Sequence, residues 1–238
     1  MEVHKIIAHP ISLILCFVLF CCLSFLYWRH IWFFRNPARK IPPDDSGIVS
    51  PADGTVVYVK EVSPGQEVIS IKRGLAASVN DITREDISRP KVLIGIFMSP
   101  FDVHYNRAPV SGRVRFIHHY PAIKGNVSMA SMHLRTVLKW LPLYRNSIHL
   151  IRNERTVTRI EGKYRGAPLP CYVVQIAARS VSGIDSYVDA GERVRAGQIF
   201  GMIRIGSQVD LVVPPFDGMK IRVHPGDTVR AGETILIE

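Results

Sequence analysis

Cysteine is scarce in this chain and poorly placed for cross-linking. Three of the four, Cys16, Cys21 and Cys22, fall inside one apolar stretch, and only Cys171 lies beyond it. A disulfide framework is thereby excluded, which fits a reducing compartment. Metal-ligand spacing is also missing. The adjacent pair His118-His119 has no further His or Cys at ligand intervals, so no metal is expected. No nucleic-acid module can be recognised, and nucleic acid is not an expected partner despite the basic charge. After the apolar stretch there is no small-residue cleavage site of the kind that marks a removable signal peptide.

The 238 residues, 47% of them hydrophobic, suit one core-forming domain plus an appendage. The appendage is the run Ile11 to Trp28, 18 residues without a charge, near the lower limit for a membrane-crossing helix. Arg29, Trp32, Phe33, Phe34 and Arg35 come next as an aromatic and cationic belt of the type found at bilayer surfaces. The expectation is a membrane anchor, either spanning or lying as a hairpin in one leaflet. Only Lys5, opposed by Glu2, precedes the run, whereas Arg29, Arg35, Arg39 and Lys40 lie after it. That bias places the domain on the cytoplasmic side of a cell membrane. The net charge of +10 belongs wholly to the residues beyond the anchor, and the last 32 of them are themselves acidic. An anionic membrane surface is the partner such a charge implies.

Residues 1–36 thus form the anchor and belt, and 37–47, with Pro37, Pro42, Pro43 and Gly47, form a linker. From 48 to 238 short β-branched runs bounded by Gly, Pro and Asp predict strands, with Asn126 to Trp140 the best helical candidate. An internal repeat recurs after 35 residues: Val188-Asp-Ala-Gly-Glu-Arg-Val-Arg-Ala-Gly-Gln198 matches Val223-His-Pro-Gly-Asp-Thr-Val-Arg-Ala-Gly-Glu233. Its glycine turns between short strands match the pattern of lipoyl- and biotinyl-like sandwiches. The expected class is a β-rich α+β fold with lipoyl-like sandwich elements, short helices and an N-terminal membrane-anchoring helix.

Between the two repeat copies lies Gly206-Ser207. A serine hydroxyl held against the preceding glycine carbonyl can convert the amide to an ester. β-Elimination then splits the chain and leaves dehydroalanine, which hydrolyses to a pyruvoyl group. That ketone forms a Schiff base with an amine and acts as an electron sink, as pyridoxal phosphate does. Gly-Ser pairs are common turns, so the rest of the chain must support this reading. Ser50-Pro-Ala-Asp-Gly54 places the Asp53 carboxylate in a turn after a strand, where it could equally bond its own backbone. In the segment Phe97 to Pro109, an extended backbone would put Asp102, His104 and Asn106 on one face, where a solvated strand edge is the alternative. Asn153-Glu154-Arg155 is a polar triple between apolar strands, and its residue types assign it no role.

These segments, with Phe33-Phe34-Arg35-Asn36-Pro37 before them and Phe200 to Asp210 after them, occur in the order that characterises one family. From the anchor onward the chain resembles the short bacterial and archaeal form of phosphatidylserine decarboxylase proenzyme. The resemblance implies a self-cleaving, pyruvoyl-dependent enzyme that turns phosphatidylserine into phosphatidylethanolamine and CO2. Gly206 would end a large β chain, 1–206, and Ser207 would become the pyruvoyl group heading a small α chain, 207–238, the two remaining together as a heterodimer. Asp53 would correspond to the aspartate of the family's protease-like self-cleavage arrangement, and His104 to the histidine of its Asp-x-His motif. Longer members carry a second histidine where this chain has Arg107, a permanent cation. They carry threonine where it has Gln208. The resemblance therefore leaves the base for Ser207 open, with His104 the best local candidate. A related serine-headgroup ether lipid is an alternative substrate. A non-enzymatic membrane adaptor with a lipoyl-like domain is the other alternative, but Lys220 falls on the first strand after the Asp217-Gly218 turn, not in a presenting hairpin.

Overall fold

The computed structural model describes residues 3–63, 66–72, 75–83, 89–145, 147–179, 183–204 and 206–238. Glu2, which offsets Lys5 before the apolar run, and Ile205, within the Phe200 to Asp210 motif, lie outside these residues. The chain divides into two units, Met1–Pro37 and Ala38–Glu238. The first contains helix α1 (Val3–Tyr27) and a π-helical turn over Trp28–Trp32. The span Pro10–Trp32 is long and apolar enough to cross a bilayer, and none of its window is buried. Arg35 stacks over the Trp32 ring at 4.4 Å, a cation–π contact within the aromatic belt.

The second unit begins with β1 (Ile48–Val49), β2 (Gly54–Val62), β3 (Glu67–Lys72), β4 (Leu75–Ser78) and α2 (Val79–Thr83). Next come β5 (Lys91–Met98), β6 (Tyr105–Arg107), β7 (Gly112–Tyr120), α3 (Ala130–Leu138) and α4 (His149–Arg152). The chain then runs through β8 (Arg155–Tyr164), β9 (Ala167–Ala177), β10 (Ile184–Ser186), β11 (Arg193–Val194) and β12 (Ile199–Ile203). It closes with β13 (Ser207–Val213), β14 (Thr228–Val229) and β15 (Ile235–Ile237). This is the β-rich class with short helices and an N-terminal apolar helix that the sequence predicts.

One eight-stranded antiparallel sheet, ordered β11-β7-β8-β9-β13-β5-β2-β14, dominates the unit. Its central strands are apolar on both faces, because period-two alternation delivers each set of side chains to its own cluster. Ile94, Ile96, Val173, Val209 and Leu211 enter one core. Leu93, Phe97, Tyr172, Val174 and Val212 enter the other. The two copies of the internal repeat supply the two edge strands, β11 and β14, with Val194 and Val229 buried at matching positions. A smaller sheet, β10-β12-β6, carries the segment after His104 alongside Phe200–Ile203.

The expected helix over 126–140 is shorter, Ala130–Leu138. Asn153 donates to the Val127 carbonyl at 3.0 Å and accepts from its N–H at 2.8 Å, while Asn126 Oδ1 accepts the Glu154 N–H at 2.7 Å. These tertiary bonds hold the first residues outside the helix.

Candidate functional site

Ser207 opens β13 in the middle of the large sheet, opposite Met98 of β5 and Ala177 of β9. It is fully buried, and its hydroxyl points at the Met98 thioether, 3.3 Å away. Asn106 Nδ2 reaches the same sulfur at 3.7 Å, and Gln175 Nε2 donates to Asn106 Oδ1 at 2.8 Å. Strand alternation puts Ser207 on the face of the first core, so a hydroxyl lies among apolar and neutral groups. Gly206 has φ +63°, the left-handed region that a Cβ disfavours, and its turn exposes both peptide groups to specific partners. Its carbonyl accepts the Ala178 N–H at 3.2 Å, and its own N–H donates to His104 Nε2 at 3.3 Å.

His104 is buried, and its Nδ1 bonds the Asp102 carbonyl at 2.9 Å. Those two bonds together require the neutral tautomer with the proton on Nδ1 and the Nε2 lone pair facing Gly206. The extended alternation expected for Asp102, His104 and Asn106 holds for the last two, both buried. Asp102 instead closes a turn, its Oδ2 accepting the Ser99 N–H at 2.7 Å. Its short acceptor caps its own backbone, the competing preference for such residues.

Asp53 lies in the turn before β2 with both oxygens engaged. Arg39 Nη2 donates to Oδ2 at 2.8 Å and the Ala231 N–H donates to Oδ1 at 2.7 Å. The same turn meets β6 through the Arg107 N–H, which donates to the Pro51 carbonyl at 2.9 Å. Arg107 donates from Nη1 to the Gly197 carbonyl at 2.7 Å. Burial and the neighbouring Arg39 cation lower its pKa. The structure thus brings His104 to Gly206-Ser207 and commits Asp53 to tying its turn to the C-terminal segment.

The next residue along β13 faces the other way and heads a polar cluster that sequence reasoning missed. Gln208 Nε2 donates to Tyr58 Oη and to Asp210 Oδ1, both at 2.7 Å, while its Oε1 accepts from His149 Nε2 at 2.9 Å. All four side chains are buried. Burial pushes the Asp210 carboxyl up to about 7 and the His149 imidazole down to about 4. Burial, and then the Asp210 charge, raise the Tyr58 phenol well above its usual range. The Tyr58 ring can lie there because Gly95 offers no Cβ, which would come within 2.4 Å of it. The sequence signal was the pair Gln208 and Asp210 at i, i+2 within an otherwise apolar strand.

Arg155 of the unassigned polar triple is entirely buried. It donates to five carbonyls: Asn153, Asp81, Ile82, Leu150 and His149. It holds α2 and α4 against the start of β8. Asn153 clips residue 127 to the Ala177 carbonyl at 2.7 Å, next to the donor that serves Gly206.

Gly206 opens on a cleft of about 510 Å³ whose lining includes Phe97, Met129, His133, Ala178 and Arg179. A larger hollow, lined by Asp44, Arg113, Glu161 and Arg195, contains none of the residues above. Among the described residues no cluster of three His, Cys, Asp or Glu could hold a metal ion. What the arrangement can do is acyl chemistry at one peptide bond and proton transfer beside a small, mostly apolar cleft.

The sequence as a whole is similar to known proteins. The profile of the family described as phosphatidylserine decarboxylase matches residues 26–237. A phosphatidylserine decarboxylase proenzyme of Carboxydothermus hydrogenoformans is 32% identical over 89% of this chain and 80% of its own length. One from Novosphingobium aromaticivorans is 33% identical over 91% and 74%. A protein of Methanopyrus kandleri whose name points to archaetidylserine decarboxylase is 35% identical over 87% and 80%.

Proposed function

The chain belongs to the phosphatidylserine decarboxylase family, and from that premise we propose that it cleaves itself at Gly206-Ser207 and decarboxylates phosphatidylserine to phosphatidylethanolamine at the new terminus. The observation that carries this reading is the neutral, buried His104 imidazole, with Nε2 3.3 Å from the N–H of Gly206, which itself lines the cleft.

Self-cleavage uses the chain's own atoms. Ser207 Oγ adds to the Gly206 carbonyl carbon, the bond to the Ser207 nitrogen breaks, and an ester with a free amine results. The Ala178 N–H supports the oxygen on which negative charge develops. Loss of the Ser207 Cα proton then breaks the Cβ–O bond, giving a Gly206 carboxylate and dehydroalanine. Tautomerisation and addition of water release ammonia and leave a ketone. The surroundings fit such a group: a thioether and an amide pair lie at Ser207.

In place, the pyruvoyl ketone supplies the electron sink for loss of CO2. His104 holds the proton that returns to the substrate's α carbon, a transfer suited to an imidazole near neutrality. Its Nε2 already faces the cut, which also makes it the base we assign to Ser207. Asp53 serves maturation by fixing the Pro51–Gly54 turn to Ala231. The large and small fragments stay associated as a heterodimer. The apolar helix anchors the enzyme in the membrane with residues 38–238 on the cytoplasmic, anionic face. The name of the Methanopyrus relative favours a second reading, an ether lipid with the same serine headgroup. Parallel assays with acyl and ether substrates separate the two.

Intact mass of the purified protein tests the proposal. The small fragment of 32 residues should weigh roughly 3.6 kDa, in proportion to 26.8 kDa for the whole chain, and should lack a free N-terminal amine. Ser207→Ala should stay whole and inactive. An uncleaved wild-type chain with full activity would overturn it.

A further inference from the structure

Exposed apolar side chains on the 38–238 unit are clustered. Among its described residues nine large ones are exposed, and five of them, Leu134, Val137, Leu138, Trp140 and Leu141, fall within eight consecutive positions. Leu134, Val137 and Leu138 share one face of α3, at i, i+3 and i+4. Met132, on the opposite face, is buried in the second core. Trp140 and Leu141 extend the patch beyond the left-handed C-cap at Lys139. They are no minor exposures: Val137, Trp140 and Leu141 keep 63%, 55% and 71% of their surface. A concentrated patch of this kind marks a docking surface.

Charge identifies what docks. From Val103 to Asn153 there is no Asp or Glu, whereas Lys124, Arg135, Lys139, Arg145 and Arg152 flank the patch in sequence. An apolar helix face ending in tryptophan, within a stretch of chain whose only charged residues are cations, matches the interface of an anionic bilayer. Position supplies the reason. Met129, Ala130 and His133, at the start of the same helix, line the cleft that holds Gly206. That cleft, about 510 Å³, has the size of a small-molecule pocket. It accommodates a serine phosphodiester headgroup but not two long acyl chains with it.

Resting on the lipid-decarboxylase reading above, we infer that α3 and Trp140-Leu141 insert into the anionic membrane surface beside the cleft, so that the headgroup enters while its acyl chains remain in the bilayer. This docking site is separate from the N-terminal helix and works at the substrate's point of entry.

The test uses the full chain with Trp28→Phe and Trp32→Phe, which leaves Trp140 as the single tryptophan. In phosphatidylglycerol vesicles with brominated acyl chains, Trp140 emission should be quenched and shifted to the blue. In a companion measurement, the Val137→Glu/Leu141→Glu chain should turn over vesicle-borne phosphatidylserine about tenfold more slowly than wild type, the equivalent of ~1.4 kcal/mol. It should act normally on a dispersed short-chain phosphatidylserine, which also certifies its folding. Trp140 left open to acrylamide in the vesicles would overturn the inference, as would equal losses on both substrates. Shielding of Trp140 by self-association without lipid would give the patch to a second copy and overturn it too. If wild type decarboxylates neither substrate while bromolipid quenching persists, the docking stands and the enzymatic reading fails.

Discussion

Replacing Asp210 with asparagine should change how stability depends on pH, in a direction set by two buried groups that share one glutamine. In the folded chain Asp210 titrates near 7 and His149 near 4, against about 3.9 and 6.5 for free side chains. Each pH unit between folded and unfolded titration is worth about 1.4 kcal/mol. The Asp210 pKa is raised, so its contribution is fully present below pH ~4 and is lost as pH climbs through 7, on the order of 4 kcal/mol in all. The His149 pKa is depressed, so its contribution is present above pH ~6.5 and is lost as pH falls through 4, on the order of 3 kcal/mol. The slopes oppose and largely cancel in the native chain. Tyr58, Gln208 and the nearby Arg155 complete the surroundings of the carboxyl, and none of them titrates in that window. Asp210→Asn removes one slope and leaves the other. The stability difference, variant minus parent, should therefore grow by several kcal/mol from pH ~4.5 to ~7.5. Urea unfolding in mild detergent, on the uncleaved Ser207→Ala chain so that refolding stays unimolecular, reads this directly. A difference that stays flat across pH would refute the reasoning, since it would mean that Asp210 does not gain its charge within the fold between those values.

The site residues can be separated by pairing intact mass with turnover. Asp53→Ala should accumulate uncleaved chain, since it leaves the Arg39 guanidinium with Glu233 alone and frees the Ala231 N–H. His104→Ala that matures but turns over about 10²–10⁴ more slowly assigns it to proton return, uncleaved His104→Ala assigns it to Ser207, and a matured, fully active variant removes it from the mechanism. Arg155→Met should destabilise by about 3–5 kcal/mol in the same urea assay, because five carbonyls lose one buried donor group. An unchanged midpoint would show that water or rearranged backbone satisfies those carbonyls.

What was legible in the sequence was local or ordered along the chain. Alternating β-branched runs gave strands, the repeated Gly-acidic turns matched the two edge strands, and motif order pointed to His104 and Gly206-Ser207. What was hidden depends on residues far apart in sequence. Tyr58 and Gln208 are 150 positions apart and meet only because β2 and β13 both border β5. The role of Arg155 depends on carbonyls offered by two short helices whose own sequences carry no helix signal. Asn126 reads as helical by neighbourhood, yet it is held in place by Glu154. Asp102 was expected on one face with His104 and Asn106, but its carboxylate caps the Ser99 turn and it meets His104 through its carbonyl.

The segment from Ser207 to Glu238 is not an appendage to the sheet. It contributes β13, flanked on both sides by β9 and β5, the edge strand β14, and β15 against β1. The scission we propose before Ser207 would therefore give the molecule a history. Before the cut, an unfolded copy can find its way back alone, because every strand is tethered to the next. Afterwards, recovery would need two separate polypeptides to meet, and a lone 32-residue fragment whose β13 has seven consecutive buried residues would have other, stickier fates. On that reading each mature copy would survive heating past its transition only once, and a cell that loses one to denaturation would have to replace it by synthesis.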